Sequence, residues 1–77
     1  MKSNKEVDKK LGLMFKEKRQ ELGMSQTHVT KWLKYSSPQF LSNFERGLCL
    51  LPLKKLGVLI QLYGMDAEQV TDLILGL

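Results

Sequence analysis

The chain has 77 residues, enough for one small domain and too few for two. With 43% hydrophobic residues, six glycines and two prolines, it has the composition of a folded globule, which excludes a disordered or linker-rich chain. The formal charge of +4 is unevenly spread. From Leu22 to Met65 the only acid is Glu45, against Lys31, Lys34, Arg46, Lys54 and Lys55, whereas Asp66, Glu68 and Asp72 follow without a base. The middle can approach a polyanion that the end would repel; charge alone leaves nucleic acid and plain solvation equally open.

Residues 1–6 read as a flexible basic N-terminal arm, either a frayed tail or a segment that reaches DNA, and residues 7–77 as a single domain. The opening MKSNKEVDKK has no apolar segment, which argues against a signal peptide. The first helix is predicted over Val7–Leu22, with Val7, Leu11, Met14, Phe15 and Leu22 on one face and Gly23 as its C-terminal cap. The second opens at Ser25 as N-cap and runs from Gln26 to about Lys34, with Val29, Trp32 and Leu33 inward. Ser37 as N-cap and Pro38 in the first turn start the third helix, which ends near Arg46 before Gly47, with Leu41 and Phe44 inward.

The fourth helix opens near Pro52 and ends at Tyr63 before Gly64, with Leu53, Leu56, Leu59, Ile60 and Tyr63 inward. The fifth starts at Asp66, with Gln69 placed for a capping-box-like pair, and turns Val70, Leu73, Ile74 and Leu77 to one side. No run alternates for long enough to argue a strand, so the fold class is all-α. The longest apolar run, Leu48–Leu53, contains Pro52 and is too short to span a bilayer.

The lone Cys49 sits in an apolar run and reads as a core filler. The lack of a disulfide framework fits a reducing cytoplasm. His28 has no second ligand at metal spacing, and no Ser/His/Asp set, carboxylate pair or glycine-rich phosphate loop is present. No enzyme activity, metal, cofactor or small-molecule ligand is therefore expected.

The third helix carries the chemistry. Gln39 lies at its start, Ser42 and Asn43 follow at helical spacing, and Asn43, four residues on, shares the face of Gln39. Amides suit base edges, since one glutamine can bond both N7 and N6 of adenine. Gln39, Ser42 and Asn43 are thus candidates for base readout, and Lys31, Lys34, Ser37, Arg46 and Lys54 for backbone contacts that position without reading. Phe40, one step off the core stripe, either touches a thymine methyl or folds back on Tyr35, and packing is favoured.

The motif R-x-x-x-G-M-S-Q at Arg19–Gln26, S-x-F-E-R-G at Ser42–Gly47, and Pro52, Leu56, Leu59 with L-Y-G-M at Leu62–Met65 occur in order over about Leu11–Val70. In this order the chain resembles the Cro/CI-type (phage-repressor-like, XRE) helix-turn-helix DNA-binding family. The resemblance implies a five-helix lambda-repressor-like domain with its helix-turn-helix at about 25–46. It also implies that Gln26 bonds a phosphate and braces the start of the recognition helix, and that Arg19 and Glu45 form a structural ion pair. Two positions depart from the family. The turn Lys34-Tyr35-Ser36 is one residue longer than the commonest pattern and has Lys34 where glycine is usual, and Thr30 replaces the usual alanine. The extra residue is expected to absorb the bend that a lysine tolerates poorly.

Apolar residues exceed what one small core needs. Val58, Leu62, Val70, Leu73, Ile74 and Leu77 are the candidate interface of a symmetric homodimer, which would set two recognition helices about one DNA turn, ~34 Å, apart on a palindromic operator. The expected partner is double-stranded DNA, with no membrane, and the expected role is a small bacterial or phage transcriptional regulator. The rivals are an antitoxin-like protein-interaction module and a non-specific nucleic-acid binder.

Overall fold

Helical periodicity, serine and aspartate caps and glycine stops resolve into five helices: α1 (Lys5–Glu21), α2 (Gln26–Trp32), α3 (Gln39–Glu45), α4 (Leu53–Tyr63) and α5 (Ala67–Leu75). The computed structural model describes residues 5–76, and no strand occurs among them. Of the arm expected at 1–6, Lys5 and Glu6 belong to α1, while residues 1–4, like Leu77, lie outside the described residues.

α1 is the spine, packing against α3, α4 and α5, while α2 packs on α3. Phe15 of α1 is fully buried and meets Phe44 edge-on at 5.3 Å between ring centroids and Tyr63 at 6.2 Å. Leu11, Val29, Leu33, Leu41, Leu59 and Val70 complete the centre of the core. The approach of α1 to α3 is close enough to require Gly12, because a Cβ there would stand 2.3 Å from the Phe44 carbonyl oxygen.

The helix ends follow the sequence closely. The Ser25 hydroxyl accepts the His28 N–H at 3.0 Å, and the Asp66 carboxylate accepts the Glu68 N–H at 2.9 Å. The Asp66 bond is thus one residue short of the capping-box position expected with Gln69. α3 starts one residue later than expected. Pro38 (ψ 4°) is its N-cap, so Ser37 lies outside the helix and reaches the Gln39 N–H only at 3.4 Å.

Four helices close with the same paired bonds, α1 at Gly23, α3 at Gly47, α4 at Gly64 and α2 at Lys34. In α2 the Lys34 N–H bonds the Lys31 carbonyl and the Tyr35 N–H the Thr30 carbonyl, which is the Schellman pattern. The bend is therefore taken by Lys34 itself and not by the extra turn residue, contrary to the expectation from sequence. Lys34 itself takes φ 60°, alone among non-glycine residues described. A left-handed L-residue costs ~1–2 kcal/mol, of which glycine's extra chain entropy takes back part. Lys34→Gly is expected to stabilise the fold by about 0.5–1 kcal/mol in urea melts.

Four expected core positions lie elsewhere. Leu22 falls beyond the last turn of α1 and is 44% exposed. Trp32 is 56% exposed because the buried face of α2 is built on Val29, Thr30 and Leu33 instead. Leu53 opens α4 beyond the reach of the core and is 83% exposed. Cys49 is only half-buried. No described helix is long and apolar enough to cross a membrane.

Candidate nucleic-acid interface

One carboxylate ties three helices together. Glu45, at the end of α3, accepts two parallel bonds from Arg19 of α1, at 2.7 Å from Nε and 3.0 Å from Nη2. The same Oε1 accepts Nε2 of Gln26, at the start of α2, at 2.8 Å. Arg19 uses its remaining nitrogen to hold the Met24 carbonyl at 2.8 Å, in the turn between α1 and α2. The pair is buried, and the hydrogen bond to Glu45 holds the Arg19 guanidinium above its ordinary pKa against the opposing effect of burial. Gln26 thus braces the end of α3, not the start that the family resemblance implies. Thr30 is buried, and its hydroxyl is satisfied by the Gln26 carbonyl at 2.7 Å.

With its acid turned inward, α3 presents a neutral-to-basic outer face. Gln39 Nε2 donates to Asn43 Oδ1 at 2.9 Å, and Arg46 Nη2 donates to the same oxygen at 2.7 Å. Gln39 and Arg46 are exposed, and Asn43 and Ser42 are half-buried. The ladder fixes which valences remain. Gln39 keeps its carbonyl oxygen and one N–H, a donor–acceptor pair, whereas Asn43 has its oxygen engaged and offers its amide hydrogens.

Lys31, Lys34, Ser37 and Lys54 are all exposed. Lys55 is differently employed: its Nζ donates to the Leu33 carbonyl at 2.6 Å and lies 5.0 Å from the centroid of the Tyr35 ring. Tyr35 in turn stacks on Phe40, with centroids 5.0 Å apart and rings 23° from parallel. Both readings of Phe40 keep some ground, since it folds back on Tyr35 and still leaves 56% of its surface exposed. A groove between α1 and the α4–α5 turn is lined by Glu17, Glu21 and Asp66 as well as Lys10 and Lys18, a mixture that does not favour a polyanion.

The expected dimer residues divide. Val70 is 2% exposed and belongs to the core, so it offers no interface. Val58, Leu62, Leu73 and Ile74 are half-buried against the core and retain an outer surface, which Leu75, 59% exposed, extends. A second apolar set, Leu48, Leu50 and Leu53, is more exposed still.

Tyr63 leaves one loose end. Its hydroxyl is buried without a hydrogen-bond partner, and burial, then the Glu45 charge, push the phenol above its ordinary pKa. An unpaired buried hydroxyl costs ~1–3 kcal/mol, so Tyr63→Phe is expected to gain about 1 kcal/mol at neutral pH. The raised folded pKa also means that the neutral phenol's contribution is present in full below about pH 10 and is lost as the pH rises beyond it. Urea melts across that range should therefore diverge at the alkaline end, the native chain declining more steeply than the phenylalanine variant.

Sequence reasoning missed Gly12, Lys55 and the bond from Arg46 to Asn43. Gly12 had a signal, a glycine inside an otherwise helical pattern. The other two depend on distances that spacing alone does not supply. No family model, curated protein or solved structure matches the chain.

Proposed function

We propose that the chain is a sequence-specific double-stranded DNA-binding protein of the Cro/CI-type helix-turn-helix kind, with a lambda-repressor-like arrangement in which α3 enters the major groove. The observation that carries this reading is the ladder Gln39–Asn43–Arg46, turned to solvent while Glu45, the helix's only acid, is paired inside. A short helix showing amides and a guanidinium, with no carboxylate on its outer face, has the chemistry that base edges and phosphates demand. Gln39 reads a base, with the donor–acceptor pair that matches adenine. Asn43, offering hydrogens, meets an acceptor on a base or a phosphate, and Ser42 lies on the flank of the same face. Lys31, Lys34, Ser37, Arg46 and Lys54 hold the backbone. Gln26, already bonded to Glu45, has one N–H left for a phosphate.

The reading gives the strained Lys34 a reason. A glycine there would relax the turn but remove a cation beside the start of α3. Lys34→Gly should raise stability while weakening binding to all duplexes alike. A homodimer through Val58, Leu62, Leu73 and Ile74 would bring two such helices to a palindromic operator, as a small transcriptional regulator requires.

One observation favours a second reading, a protein-interaction module of the antitoxin kind: Leu48, Leu50 and Leu53 are 65%, 51% and 83% exposed within one short stretch. Binding-site selection from random duplex DNA at physiological salt separates the two. DNA recognition predicts a short reproducible half-site, and Gln39→Ala should relax it at one or two positions worth ~1–3 kcal/mol each while leaving the fold intact. A pool that stays random through selection would remove the sequence-specific reading.

A further inference from the structure

Phe40 stands beside the ladder. Helix geometry turns each residue about 100° from the last, which sets Phe40 on the flank of α3 between the outward Gln39–Asn43 edge and the buried Leu41–Phe44 face. Over half of its surface is open, yet the ring is not free to wander. It lies on Tyr35 at 5.0 Å, and Tyr35 is itself fixed at both ends. Its backbone N–H closes α2 on the Thr30 carbonyl at 3.2 Å, and its ring lies under Lys55, which the Leu33 carbonyl holds in place. The result is a stationary apolar surface next to an amide set for base readout. Such a surface gives up little conformational freedom when it is covered.

An apolar contact on the floor of the major groove has one natural counterpart, because the 5-methyl of thymine is the group there that offers no hydrogen bond. We infer that Phe40 is a specificity-determining contact that packs on the 5-methyl group of a thymine neighbouring the base pair met by Gln39. The inference rests on the reading of α3 as the groove-facing helix and deepens it, by naming a second feature of the site. The aromatic stack of Tyr35 and Phe40 then has two tasks, closing the turn between α2 and α3 and presenting one ring edge outward.

The test uses the duplex recovered by site selection. Each thymine is replaced in turn by deoxyuridine, which lacks only the methyl group, and affinities are measured for the native chain, Phe40→Ala and Gln39→Ala, with melting curves to establish that each is folded. At one thymine the native chain should lose about fourfold in affinity, the value of one buried methyl-sized group. Phe40→Ala should bind the thymine and deoxyuridine duplexes equally, whereas Gln39→Ala should keep the difference. Deoxyuridine tolerated at every position by the native chain would overturn the contact. So would a thymine preference that survives in Phe40→Ala. Both outcomes leave the DNA reading intact. Recovery of no duplex at all would instead overturn that reading and the Phe40 contact together.

Discussion

Gly12→Ala should lower the melting temperature by about 10–20 °C, although alanine is the better helix former. Intrinsic propensity favours the change by ~1 kcal/mol. Packing opposes it more strongly. The new methyl would stand 2.3 Å from the Phe44 carbonyl oxygen and 2.7 Å from that of Glu45. Both are backbone atoms of α3, so no side chain can rotate to make room, and the two helices must part. Overpacking of this sort costs ~1–3 kcal/mol, and more where the obstacle is rigid. Separation also loosens the Phe15–Phe44 contact and the Arg19–Glu45 pair, which bridge the same two helices. A net loss of about 2–3 kcal/mol follows, a large share of what a domain this size has. Gly57→Ala is the matching control. Gly57 lies inside α4 with open space where a Cβ would go, so propensity acts alone and a gain of about 0.5–1 kcal/mol is expected. Thermal melts of the two variants should move in opposite directions. A Gly12→Ala protein that melts at or above the native chain would mean that α1 and α3 do not approach so closely.

Glu45→Ala should be of similar size, about 3 kcal/mol, for a different reason. Three donors lose their acceptor: two nitrogens of Arg19 and the amide of Gln26. Arg19 is 8% exposed and cannot turn to water without opening the interface between α1 and α3. It keeps only the Met24 carbonyl. Removing one partner of a buried pair leaves the other charge uncompensated, which is the costly event; removing both need not be. The double change Arg19→Met with Glu45→Leu should therefore lose clearly less than the sum of the two single changes in urea melts. Strict additivity would mean that the two groups do not meet. In the proposed function, losing Glu45 acts twice. It frees α3 from α1 and α2, and it disturbs the frame in which Gln39 and Asn43 are presented.

Much of this was legible in the sequence because capping residues act locally. Ser25, Gly23, Gly47 and Gly64 mark helix ends by chemistry that needs no tertiary knowledge, and all four stand where the spacing put them. The Arg19–Glu45 pair came from motif order rather than from spacing, and the bidentate bond now gives it a geometry. Positions at helix flanks were less legible. On α2 the buried side goes to Thr30 and not to Trp32, a tertiary outcome that hydrophobicity does not encode. Leu53 has the right phase in α4 but the wrong height, standing past the end of the core. Lys34 was read through a steric rule, yet the closing bonds of α2 outweigh the strain and hold it left-handed. Val70 shows the limit of counting surplus apolar residues, since a small core can still absorb one that counting assigned to a dimer.

Amide chemical shifts followed while a selected duplex is added to labelled protein locate the surface that meets DNA. The changes should gather on Gln39, Phe40, Ser42 and Asn43 of α3 and on Lys31, Lys34, Ser37, Arg46 and Lys54 around them, with the groove between α1 and α5 unmoved. Saturation with Gln39 and Asn43 undisturbed, and the changes confined to α1 and α5, would contradict the assignment of α3 to the groove.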